Sequence, residues 1–157
     1  MNLALGLGLQ NAAPPPSDGA AALAEITQFD FTGLDGSNLW WDDGGTPACS
    51  YIVLYKGAEK YIFYFTTIDG SDNPWADAQP AEAADFHVAC NGLYYDAAAT
   101  DADIAAAFQA AVEANGWTTV ASAGASRTVS YSSVTGPQTD ATDSHLGVSI
   151  TVTQQGS

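Results

Sequence analysis

Only one stretch of this 157-residue chain carries a convincing helical period, and that limits the folds open to it. Between Asp101 and Ala114, the apolar residues Ile104, Ala107, Phe108, Ala111 and Val112 recur at spacings of three and four, the mark of a single buried face. Thr100 stands where an N-cap is needed, and Asp101 and Asp103 fall in the first turn, where the helix dipole favours carboxylates. Asn115-Gly116 supplies the stop. A lone amphipathic helix has no second helix to pack on, so its apolar stripe must lie on a sheet.

The material for that sheet is present on both sides of the helix. Ile26 to Phe31 places apolar residues at Ile26, Phe29 and Phe31, a short strand ending at Gly33. Leu34 to Pro47, rich in Asp and Gly around Trp40 and Trp41, reads as a loop or wide turn. Ser50–Lys56 and Lys60–Thr67 are dense in Tyr, Ile, Val and Phe, with the hairpin-length Gly57-Ala58-Glu59 between them. Their near-continuous apolarity predicts cover on both faces. Asp69 to Trp75 has plain turn chemistry, and Asp85 to Cys90 is a further strand with Phe86, Val88 and Cys90 on one side. After the helix, Trp117–Ser122 and Arg127–Ser132 form a hairpin about Gly124, and Val148–Thr153 alternates as a last strand. The order predicts an α+β fold: a mainly antiparallel sheet or sandwich with one amphipathic helix packed on a face.

Outside this body stands the N-terminus. Leu3, Leu5, Leu7 and Leu9 alternate with Ala4, Gly6 and Gly8, which gives a strand one greasy edge and one nearly bare one. Pro14, Pro15 and Pro16 then favour a stiff polyproline spacer. No Lys or Arg precedes Lys56, so the basic n-region of a secretory signal is missing, and the apolar run is far below the roughly 18 residues that span a bilayer. We therefore expect an extended docking arm over residues 1–16 and a single α+β domain over 17–157, the arm's leucines bound to a neighbouring subunit. The alternative is a strand added to the chain's own sheet.

Charge narrows the partners. Eighteen Asp and Glu face three Lys and Arg, a net charge of -15. Such a surface repels the phosphates of nucleic acid and of anionic membranes, so neither is an expected partner. Cys49 and Cys90 allow one disulfide arithmetically, but two isolated cysteines more often behave as small buried apolar groups.

A search for chemistry returns little. No Gly-x-Ser-x-Gly elbow frames a nucleophile, and His87 and His145 have no spacing that implies a shared site. The carboxylate pairs Asp42/Asp43, Asp69/Asp72 and Asp140/Asp143 sit in turns, where Asp usually serves the backbone. Oxygen ligands from Asp69, Asp72 and Asn73 would suit calcium, yet the spacing matches no EF-hand loop. The expectation is a chain that is no enzyme and carries no cofactor and no metal. Trp40, Trp41 and Trp75 remain: exposed, they would stack on sugars or on a protein; buried, they fill the ends of the core.

Several segments together carry a resemblance. Tyr61-Ile-Phe-Tyr-Phe-Thr-Thr-Ile-Asp-Gly with Asn73-Pro74, the alanine-rich stretch from Thr100 to Val112, the Trp117 hairpin, and Thr139-Asp-Ala-Thr-Asp followed by Ile150-Thr-Val-Thr-Gln-Gln-Gly resemble a small α+β module of tailed-bacteriophage virion proteins, over residues 60–157. The leucine and glycine arm is similar to leaders of some phage structural proteins. Trp75, His87 and the Cys90-Asn91-Gly92 turn depart from the pattern and leave room for a binding surface of this chain's own. The resemblance implies a virion component, either a capsid decoration or a tail-associated protein, whose partners are other virion proteins in a symmetric assembly. The alternative is an adhesin or carbohydrate-binding module using the tryptophan loops, with a host-surface glycan as its partner.

Overall fold

The structure, a computed structural model, describes residues 23–42, 47–67, 79–94 and 98–157. Ten strands and one α-helix are assigned: β1 (Ala24–Asp30), β2 (Trp40–Asp42), β3 (Pro47–Cys49), β4 (Tyr51–Lys56), β5 (Glu59–Thr67), β6 (Phe86–Leu93), α1 (Asp101–Ala114), β7 (Thr118–Ala123), β8 (Ser126–Thr135), β9 (Thr142–Ser144) and β10 (Ser149–Gln154). They form a four-stranded sheet in the order β10-β1-β8-β7, a second in the order β6-β5-β4-β9, and the two-stranded ribbon β2-β3. The fold is α+β, with mostly antiparallel sheets around one helix.

Strand alternation points Thr27, Phe29 and Phe31 of the first sheet inward, and Tyr61, Phe63 and Phe65 of the second inward to meet them. The helix enters between the two. Phe108 lies 4.9 Å from Phe29, 5.4 Å from Phe31 and 5.9 Å from Phe63, ring centre to ring centre, so one side chain touches both sheets. Thr100 and Asp103 form the reciprocal capping box that starts α1, and Gly116, at φ +92°, turns the chain out of it. At the far end of the core, Trp117 packs edge-on to Tyr61 and Phe63. Lys56 closes that end, its Nζ 4.8 Å from the Tyr61 ring centre, 5.4 Å from that of Trp117 and 4.9 Å from that of Tyr131. Bonding to Tyr61, together with the negative charge around it, holds this ammonium above its usual pKa.

Two expectations are corrected, and one parallel pairing appears within the mainly antiparallel fold that the sequence predicts. The segment Leu34–Pro47 is more than a loop: Asp35 and Asn38 cap each other's backbone around a 3₁₀ turn (Gly36–Leu39), which sinks Leu39 into the core and leads into the β2-β3 ribbon. The second sheet is mixed, because β6 runs parallel to β5. A parallel neighbour requires a crossover, and the eighteen residues from 68 to 85 are long enough to make one. Phe86 shares a side with Val88 and Cys90, as its spacing predicts, but at the strand's start it is 44% exposed rather than buried. The three-residue β9, paired to β4, is too short to leave a period in the sequence.

Both faces of the second sheet are covered, as its sequence predicts. Ile52, Val53 and Leu54 are consecutive and all buried, as are Ile62 and Phe63. On the face away from the main core, Glu82 receives hydrogen bonds from Tyr51 Oη and Lys60 Nζ, which ties the end of the crossover to the sheet. Cys49 and Cys90 are buried thiols with no disulfide between them.

Because Phe108 bridges both sheets, its truncation should cost more than the loss of one local contact. Phe108→Ala is expected to lower the unfolding free energy by about 3–5 kcal/mol, read from the urea midpoint.

Candidate functional site

Of the residues singled out in the sequence, Leu3, Leu5, Leu7, Leu9 and Trp75 lie outside the described residues, as do Asp69, Asp72 and Asn73 of the considered calcium loop. Trp40 and Trp41 are placed on β2, and each is half-buried. Trp41 does not offer an open ring. His145 stacks on it at 3.7 Å between centroids and 12° between planes. One face of the indole is therefore taken by the protein, which reduces the surface left for a sugar.

His145 is held in the left-handed region at φ 65°, directly after β9, and Ser144 Oγ lies 2.9 Å from its Nδ1. The neighbouring Asp143 does not complete a relay. Its Oδ2 accepts from the Gly147 backbone N–H at 2.9 Å, while its Oδ1 is buried with no hydrogen-bond partner. Burial pushes this carboxyl above the ordinary aspartate range, against the pull of the Gly147 N–H. His87 is equally remote from such chemistry, since its Nε2 is 2.9 Å from the Glu82 carbonyl. It stands on β6, whereas His145 follows β9 at the opposite edge of the same sheet, three strand spacings or about 14 Å across and offset further along the strands. Among the described residues, no three His, Cys, Asp or Glu side chains gather as a metal site, and no helix is long and apolar enough to cross a membrane.

A different surface stands out where β6 meets α1. Two shallow hollows, of about 290 Å³ and 280 Å³, share Asn91 and Ala107 and so lie end to end. The first is lined by Tyr94, Ala99 and Ala106, the second by Val88, Ala89, Ala110 and Ala114. Ala102, Ala106, Ala110 and Ala114 recur every four residues and are all exposed, so one stripe of the outer face is bare alanine, flanked by exposed Asp103 and Glu113. Phe86 and Tyr94, 44% and 56% exposed, flank β6 at its two ends. On its other side β6 has no strand partner among the described residues. Sequence reading found the buried stripe of α1 and passed over the outer one, although the spacing of four was visible there too.

The Asp143 environment makes a testable statement about pH. A carboxyl whose folded-state pKa is raised favours folding below the unfolded value, about 3.9, and that contribution is lost as pH rises through the folded value. At neutral pH the ionised side chain is thus a burden. Asp143→Asn is expected to give a small rise in Tm at pH 7, a difference that fades on acidification below about pH 3.9, as followed by thermal melts across pH.

Compared with protein-family models, curated proteins and solved structures, the chain gives no match to any of them.

Proposed function

We propose that this protein is a non-catalytic structural component of a tailed-bacteriophage virion, a capsid decoration or tail-associated subunit that docks on its neighbours through Leu3, Leu5, Leu7 and Leu9. The resemblance over residues 60–157 supplies the class of particle, and the arm supplies the mode of attachment. Residues 1–17 carry no charged side chain in a chain of net charge -15. A segment of that kind is suited to an apolar seat on a partner rather than to the acidic surface of its own body.

The observation that carries this reading is the way the arm is rooted. Leu23, the first described residue after it, is clamped at three points: its N–H donates to Ser157 O at 3.0 Å, and its carbonyl accepts from Ser157 N at 3.1 Å and Gly136 N at 3.2 Å. The clamp is tight at Gly156, where an added Cβ would stand 1.9 Å from the Gly136 carbonyl oxygen. Directly after Leu23 comes β1, an inner strand held by β10 on one side and β8 on the other. Tension on the arm would pass into the middle of a sheet, not into a fraying end. In a symmetric assembly, many such weak contacts add up through effective concentration.

Deleting residues 1–16 is expected to abolish incorporation into particles while leaving Tm within a degree or two of the full chain, because the deletion stops short of the Leu23 clamp. Pelleting of particles assembled with the truncated protein checks the first part and a thermal melt the second. Normal incorporation of the truncated chain would refute the reading.

A further inference from the structure

We infer that the groove between β6 and α1 is the seat for the leucine arm of a second copy of this chain, which adds as an extra strand along the open edge of β6. The inference rests on the docking reading above and names its receiving surface.

Three properties of the groove fit this occupant. The first is backbone chemistry, since β6 is an edge strand with no partner on its outer side among the described residues, and an extended segment satisfies such an edge by continuing the sheet. The second is shape. Leu3 to Leu9 spans about 23 Å when extended, and the fourteen residues of α1 run about 21 Å. Alternation turns all four leucines to one side of the arm, toward the two hollows, while Ala4, Gly6 and Gly8 face away. Alanines at 106, 107, 110 and 114 leave room there that longer side chains would fill. The third is charge. Among the described residues, Asp103, at one end, is the sole charged residue lining either hollow, so an uncharged arm meets little of the acidic surface there. Exposed Phe86, at the start of β6, and Tyr94, just past its end, add apolar surface at either end of the strand.

A second copy is favoured over the chain's own arm because of the triproline at residues 14–16, which resists doubling back. The thirteen residues 10–22 reach up to about 43 Å when extended, enough to cross to a neighbouring molecule.

The test uses the full-length protein. Ala110 is exposed on the helix, so Ala110→Arg and Ala110→Glu fill the hollow with opposite charges and leave the core untouched. Sedimentation should show the parent chain self-associating, both variants weakened by about tenfold or more, and all three melting alike. With a photo-crosslinking benzoylphenylalanine in place of Leu7, crosslinks should join two chains and fall within residues 88–91 and 107–114. A monomeric parent chain, unchanged association of both Ala110 variants, or crosslinks confined to one chain would overturn the assignment. Particle incorporation separates the two levels. If it survives the Ala110 variants but not deletion of residues 1–16, the groove is wrong and arm docking stands. If it survives the deletion as well, both fall.

Discussion

The architecture depends on one insertion, the Phe108 ring wedged between Phe29 and Phe31 of one sheet and Phe63 of the other. Two four-stranded sheets alone would meet across a strip of Phe, Tyr and Val and leave an open side. The helix fills it, and a single continuous core joins Ile104, Phe108 and Val112 to residues of both sheets. Burial of one side of α1 in this way has a corollary on the other side. The helix cannot be moved outward to hide its alanines, so Ala102, Ala106, Ala110 and Ala114 stay at the surface beside β6, an edge strand among the described residues.

That edge exists because of the crossover. Had β6 returned antiparallel after a tight turn, a connection as long as residues 68 to 85 would not be needed. The longer path carries Glu82 onto Tyr51 and Lys60, where the Lys60 ammonium and the Tyr51 hydroxyl hold its carboxyl below its usual range. Among the described residues, anchoring Glu82 on the second sheet and leaving the outer edge of β6 unpaired are thus two results of one connection.

How much of this was legible in the sequence varies with the range of the interaction. The helix was readable to the residue, since Thr100, Asp103 and Gly116 act within one turn of its ends. The β4-β5 hairpin was readable for the same reason, with Gly57 at φ +64° in the turn. The 3₁₀ turn at Gly36–Leu39 was missed because its Asp35 and Asn38 box resembles ordinary turn chemistry until Leu39 is seen at 0% exposure. Trp41 was singled out from the sequence, but its neighbour in space, His145, is more than a hundred positions away, and no local pattern pairs them. The exposed alanines of α1 could have been read from their spacing, yet only the structure places β6 beside them.

By itself, then, the sequence determined what short-range forces determine: the helix and its caps, the hairpins, the class of fold, and a strongly acidic charge balance. The tertiary structure decided which strand lies beside which. It set β6 parallel to β5, put His145 on the Trp41 ring, sank Asp143 beneath its loop, and clamped Leu23 against Ser157. The physical reason is that propensities and caps act over a few residues, whereas pairing and burial depend on which distant surfaces fill one another's gaps, and that is settled only when the whole core closes.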